Sequence, residues 1–505
     1  MNSFPLLTSI ILVPWLGTLL LAALPRSSPV VARGLALVFS LSTLVLGLLA
    51  WANFHPLTPG YQFVEQHAWI RLLHVSYHLG LDGMSLLLVL MTGLIAPVCL
   101  LASRNITRDP RLFSLLFLFL QGAALGVFLA LDFFPWFIFW ELSLVPAFFL
   151  IKLWGGPGAG RAAYQFVIYT IGGSAFMLLA FAALFAVAGT FDFLELAALA
   201  RNGTLATQLT APALTLIFVG VLLGLAVKAP LFPFHTWLPS AYAEAPTGAS
   251  MFLTGVMSKM GVYGFLRILW PLFPAQLHAA APLLLGLALG GVVLGAFAAM
   301  AQTDLKRMIA YSSVNHVSYC LLALFAVALG GNALTHDSVV PALSGALLQM
   351  FNHGLSASAL FFCIGILESR SGGRRGLADF GGVRTAMPVF AGLCGVAMFS
   401  SLGLPGLNGF IGEFLVFRGV FGLAPWAAAL GCLGLFATAY FLLTFWQRVF
   451  HGPMGAGVAS FKDLSLAEIA TLAPAVVLMM VLGIWPQFLV GLFNPLVTAW
   501  AAHLP

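Results

Sequence analysis

A few titratable side chains stand inside long apolar stretches: Glu141 in "FFPWFIFWELSLVPAFFL", Lys228 at the head of "KAPLFPFHTWLP", Lys259 in "MFLTGVMSKMGVYGFLRI", His316, His353 and Glu413. A charge at the centre of a bilayer costs about 2.5–3.5 kcal/mol on insertion scales, so those that persist usually line a pathway. Two acids, two amines and two imidazoles, with no nucleophile among them, are suited to holding and passing protons. Each has a plainer reading: a lysine can snorkel to the interface, a glutamate can stay protonated, and a histidine can be a satisfied core residue. The surroundings argue against those readings. Pro230, Pro233, Phe234 and Trp237 continue the apolar segment beyond Lys228, and apolar residues flank Lys259 on both sides. Ser312, His316 and Tyr319 fall at i, i+4 and i+7, and Gln349, His353 and Ser356 repeat the spacing on the next span. Two such stripes on adjacent helices form a hydrogen-bonding route.

The elements that carry these residues are membrane helices. Of 505 residues, 61% are hydrophobic and 7% charged, where soluble proteins have about 25% charged. Apolar runs long enough to cross the bilayer recur from end to end. They predict an all-α polytopic protein of about fourteen spans: 4–24, 30–52, 80–102, 112–131, 133–153, 163–188, 211–240, 247–270, 281–302, 305–329, 340–367, 388–420, 425–449 and 464–498. The whole chain, 1–505, reads as one transmembrane domain, and its first span as a retained helix. Most of the 21 Lys and Arg residues fall on alternate loops, among them Arg26, Arg33, Arg104, Arg108, Arg111, Asp304-flanked Lys306 and Arg307, and Arg375; only Arg71 and Arg201 fall in the opposite loops. Positive loops lie inside, which places both termini on the outer side; the dominance of alanine, glycine and leucine over lysine points to a bacterial chain, and so to a cytoplasmic membrane with the termini periplasmic. The charges Asp304, Lys306 and Arg307 read as loop charges.

Two spans cannot be regular. Pro230 and Pro233 break the seventh just after Lys228, and Gly403, Pro405, Gly406 and Gly409 break the twelfth before Glu413. Proline removes a backbone donor and clashes with the preceding turn, and broken helices at membrane depth line cavities or are buried in protein. The pattern of charge and breaks predicts two inverted five-helix repeats, 112–270 and 281–449, followed by a C-terminal helix at 464–498. His235, Ser312, Tyr319 and Gln349 are secondary candidates. The five cysteines lie singly, without C-x-x-C or ligand-spaced histidines, and no Walker loop, dinucleotide fingerprint or nucleophile elbow is present. No metal or cofactor is therefore expected in this chain, and the net charge of +6 reflects the loop bias and not nucleic-acid binding.

"LDGMSLLLVLMTG", "FWELSLVPAFFL", "KAPLFPFHTWLPSAYAEAPTGASMFLTGVMSKMGVYGFLR", "LKRMIAYSSVNH", "QMFNHGLSASALFF" and "LGLPGLNGFIGEF" resemble the antiporter-like membrane subunits of respiratory complex I, the proton-pumping NADH:quinone oxidoreductase. The resemblance covers essentially the whole chain. It implies fourteen spans with broken seventh and twelfth helices, Glu141 and Lys228 as an ion pair, Lys259 as the central relay lysine, His316 and His353 as connectors and Glu413 as the terminal residue. L-type and N-type subunits usually carry lysine where Glu413 stands, so Glu413 is similar to the M-type. Flavin, iron–sulfur clusters and quinone are then expected in partner subunits, with L-like and N-like subunits on either side. Multisubunit sodium/proton antiporters, membrane-bound hydrogenases and the photosynthetic relative use similar subunits.

Overall fold

The computed structural model describes residues 4–24, 28–330, 335–455 and 457–503; Arg26 lies outside them. Twelve helices among the described residues are long and apolar enough to cross a membrane. The eighth and twelfth predicted spans join them in shorter pieces, so the all-helical bundle of about fourteen crossings stands. Helix starts follow local chemistry: Pro29, Pro110, Pro274 and Pro425 occupy the first turn of their helices, where a missing N–H is harmless; the Asp109 carboxylate also caps the helix that Pro110 opens, and those of Asp82, Asp132 and Asp192 accept the free N–H groups at three more starts.

The tenth and eleventh spans, Leu305–Gly330 and His336–Arg370, form the centre. His336–Arg370 is 94% buried over its apolar window, against 28% for the peripheral Pro29–Ala52. The tenth packs along the ninth, Pro274–Met300, and the eleventh along Asn408–Leu423, while Ala159–Ala188 packs along Ala211–Lys228. The spans that carry the histidine stripes are therefore the ones shielded from lipid on almost every side.

Both expected helix breaks are present. The seventh span is Ala211–Lys228 followed by Trp237–Glu244, and the twelfth is Pro388–Ser401 followed by Asn408–Leu423. Three features differ from the sequence reading. The fifth span divides at Ser143 into Phe133–Leu142 and Leu144–Trp154, because Pro146 offers no N–H to the Leu142 carbonyl. The predicted helix 464–498 is two helices, Leu466–Ile484 and Gln487–His503, parted at Trp485 ahead of Pro486. An antiparallel hairpin, Gln62–Ile70 with Val75–Leu81, stands where the sequence reading left a loop containing Arg71. Its alternating residues never build an apolar run, so a search for spans passes over them. The hairpin also anchors the start of the first helix, since Glu65 accepts the N–H of Leu7 at 2.8 Å. Leu492, in the last helix, lies against Gly83 beside the hairpin.

Candidate functional site

Lys259 sits in the short α-helical turn pair Ser258–Gly264, between two π-helical stretches, Leu253–Met257 and Phe265–Leu269. A π-bulge releases a backbone carbonyl from the ladder and is frequent at functional sites. Here Thr254 carbonyl oxygen accepts from the Lys259 ammonium. Gly261 lets this helix approach the break in the seventh span: a Cβ there would lie 2.4 Å from the backbone nitrogen of Ala229. The Lys259 Nζ then reaches Nδ1 of His353 at 2.7 Å and Ser258 Oγ at 3.3 Å. With a charged lysine donating, His353 Nδ1 accepts and its proton resides on Nε2.

From His353 the series continues by ring packing and not by a hydrogen bond, since Nε2 of His353 and Nε2 of His316 are both buried without a partner. Its ring lies 5.3 Å from that of His316, tilted by 30°. His316 Nδ1 is 3.1 Å from Glu413 Oε1, and Gln349 Nε2 stands 3.4 Å from both groups. Tyr319 packs its ring edge-on to His316. All of these side chains are buried. The break in the twelfth span wraps Glu413: Gly403, at φ +80°, places its Cα so that a Cβ would come 2.8 Å from Glu413 Oε2. Asn408 braces the break by accepting from Ser400 and donating to Asn352. Lys259, His353, His316 and Glu413 thus form one line across the eighth, eleventh, tenth and twelfth spans.

The first half is arranged differently. Lys228 closes its helix, and the Trp237 indole satisfies the Val227 carbonyl freed by the break, at 3.0 Å. The ammonium donates to Ser143 Oγ at 3.3 Å and lies 5.0 Å over the Trp140 ring. The implied Glu141–Lys228 ion pair is absent as a direct contact: Glu141 Oε1 is buried without a hydrogen-bond partner. The reason is the break at Ser143, which turns that hydroxyl, and not the carboxylate, toward the lysine. Of the secondary candidates, Gln349 and Tyr319 join the line. His235 stacks on Phe232, with its Nδ1 unpartnered. Ser312 is buried, but the hydroxyl that bridges to the eighth span is that of Ser313, 2.9 Å from Thr254 Oγ1.

Residues 130–439 match the family model described as NADH:quinone oxidoreductase/Mrp antiporter, and residues 10–131 match that of NADH-ubiquinone oxidoreductase chain 4, amino terminus. NADH-quinone oxidoreductase subunit M of Rhodobacter capsulatus is 35% identical over 511 residues, covering 99% of this chain and 96% of that one. A chain in the respiratory complex I of Thermus thermophilus superposes with a TM-score of 0.85 at 30% identity, covering 99% of this chain and 100% of that chain. A chain of the Mrp complex from Dietzia superposes with 0.80 at 25% identity, covering 98% and 51%. This chain belongs to the NADH:quinone oxidoreductase/Mrp antiporter family of membrane subunits.

Two charged clusters of this family member were not among the sequence candidates. At the end opposite the hairpin, Lys306 is buried, correcting its reading as a loop charge, and is 2.7 Å from Glu368. Asp304 likewise pairs with Arg375 at 3.1 Å, and Arg375 also reaches Glu244 at 3.6 Å. Glu368 and Lys306 are distant in sequence, and only the packing of the tenth span on the eleventh brings them together. At the hairpin end, Arg267 donates to Asp82 at 2.7 Å, to Ser85 at 3.1 Å and to Tyr263 at 3.1 Å. It ties the eighth span, one turn beyond Tyr263, to the cap of the third. Near the same end His78 Nδ1 and Asp192 Oδ2 share a hydrogen bond of 2.5 Å, and burial pushes the neighbouring Asp132 carboxyl up to about 6, against the N–H groups of Ser76 and Phe134. An arginine at the end of an apolar stretch was the available signal for Arg267. Nothing in the sequence paired it with Asp82.

Proposed function

We propose that this chain is the M-type antiporter-like subunit of a proton-pumping NADH:quinone oxidoreductase and carries protons along the line Lys259, His353, His316, Glu413. The observation that supports this reading most is the continuity of that line. Each member is buried and in contact with the next, and each can hold a proton and release it. Flavin, iron–sulfur clusters and quinone reside in partner subunits, and L-like and N-like subunits flank this one. The two inverted repeats, 112–270 and 281–449, are the uptake and release halves. The membrane is the bacterial cytoplasmic membrane, with the hairpin and both termini outside.

Glu141 and Lys228 act as a switch in this reading. A buried ammonium is favoured by a facing carboxylate and disfavoured by a dry surrounding. Unit charges at about 4 Å interact by roughly 4 kcal/mol at an effective dielectric near 20, and moving one charge against 100 mV takes about 2.3 kcal/mol. Closing Glu141 onto Lys228 and opening it again is therefore a change large enough to matter. The separation seen in this structure corresponds to the open arm, in which Lys228 gives up its proton toward Lys259.

Inverted membrane vesicles oxidising NADH test the reading. Lys228→Ala is expected to abolish proton uptake while a native gel still shows the assembled complex. If instead NADH-linked uptake is indifferent to the substitution while sodium-driven proton exchange depends on it, the chain works as a sodium/proton antiporter subunit.

A further inference from the structure

Arginines gather between the first four spans at the end opposite the hairpin. Arg33 lies in the second span, Arg104 follows the third, and Arg108 and Arg111 flank the start of the fourth. A cavity of about 130 Å³ opens between these helices, with Arg33 and Arg104 as its charged lining and Leu37, Leu101 and Phe113 among its apolar walls. No acid lines it. Arg33 Nη2 donates to the Ile106 carbonyl at 2.5 Å, but its Nε is buried without any partner. Among the described residues Arg108 and Arg111 likewise find only carbonyls, of Leu153, Leu21 and Ala22. Arg104 alone among the four reaches a carboxylate, Glu468 at 3.5 Å. Asp109, the acid in this stretch of chain, is engaged in capping the fourth span through the Leu112 N–H.

The mouth of the cavity carries a second kind of information. Gly34 lines it, and a Cβ at Gly34 would meet nothing within 4 Å. Along the same helix Val38, Leu41, Val45 and Leu48 are exposed, an apolar track leading away from the guanidinium groups. Positive charge in excess of its partners, at the rim of a membrane-facing apolar track, complements a phosphate that bears an acyl chain. A free phosphate would use the arginines and leave the track unused.

We propose that this cavity binds an anionic phospholipid, with the headgroup phosphate on Arg33 and Arg104 and an acyl chain along Val38, Leu41 and Val45. The lipid fills the gap between the second helix and the ends of the third and fourth, where Arg33 would otherwise keep a buried donor unpaired.

The test uses the assembled complex, purified, stripped with detergent and returned to nanodiscs of phosphatidylglycerol or of phosphatidylcholine. Retained lipid is then counted by quantitative mass spectrometry. The wild type is expected to hold one more phosphatidylglycerol per complex than Arg33→Gln, and one more than Gly34→Leu, which keeps both guanidinium groups and fills the mouth. Phosphatidylcholine is expected to show no such difference. NADH oxidation should be unchanged in both variants. Equal phosphatidylglycerol retention in wild type and variants overturns the proposal. So does displacement of the extra lipid by millimolar inorganic phosphate, which marks a free-anion site. An unchanged lipid count with loss of a neighbouring subunit from Arg33→Gln on a native gel also overturns it, and assigns the arginines to an acidic protein partner.

Discussion

Lys259, His353, His316 and Glu413 stand in an unbroken series of contacts, whereas Lys228 is held by Ser143 and the face of Trp140 while Glu141 keeps to itself. The two regions share their chemistry and differ in backbone. Around the series, π-helical turns and the glycine-rich break of the twelfth span bend the backbone until side chains touch. Around the pair, the break at Ser143 leaves a hydroxyl, and not the Glu141 carboxylate, in contact with Lys228. A connected series passes a proton by small rotations; a divided pair must move before it can act. The first arrangement suits conduction and the second suits gating.

The sharpest way to break this comparison is Lys259→Ala, which removes the link between the two regions. Proton uptake per NADH oxidised is expected to fall at least tenfold in vesicles whose complex is fully assembled, and uptake at the normal stoichiometry would sink the conducting role. Glu413→Gln should cause a smaller, severalfold loss, since Gln349 remains beside His316. Glu413→Lys should lose less, because a titratable group is retained. Equal loss in the two variants would mean that negative charge, and not titration, is what the end of the line requires.

Asp82→Asn asks whether burial of charge is enough to mark a conduction path. Breaking a buried ion pair destabilises by about 3–5 kcal/mol, so the melting temperature of the complex should drop, while the protons moved per NADH by the surviving complexes stay constant. A changed stoichiometry would place Arg267 on the path and blur the contrast. Ser143→Ala should give the smallest effect. It removes one hydrogen bond to a charged group, worth roughly 1.5–3 kcal/mol, and frees Glu141 to close on Lys228. The expected result is a slowing of coupled NADH oxidation, severalfold at most, with the stoichiometry preserved. Complete loss of coupling would show that the hydroxyl is itself a proton carrier.

Much of the site was legible because charge in an apolar run is conspicuous: Glu141, Lys228, Lys259, His316, His353 and Glu413 are each visible against their neighbours. The broken helices were legible for a similar local reason, since Pro230, Pro233 and Pro405 act on the turns beside them. Pro146 and Pro486 carried the same signal, yet both sit within apolar segments that read as single spans, so the divisions at Ser143 and Trp485 were passed over. The hairpin was missed because its period-2 alternation leaves no apolar run. Lys306 and Arg267 were missed as partners because Glu368 and Asp82 lie far away along the chain.

The sequence by itself determined the membrane class, the approximate spans, the places where helices break and the residue types available for proton chemistry, because hydropathy and proline stereochemistry act over one helix at a time. Tertiary structure decided which groups meet. His353 finds Lys259 and not Lys228, His316 finds Glu413, Ser143 displaces Glu141, and Glu368 takes Lys306 out of the loops. These outcomes depend on how helices distant in sequence rotate and approach one another, and that is set by small residues such as Gly261 and Gly403 at their crossings and by the packing of the whole bundle.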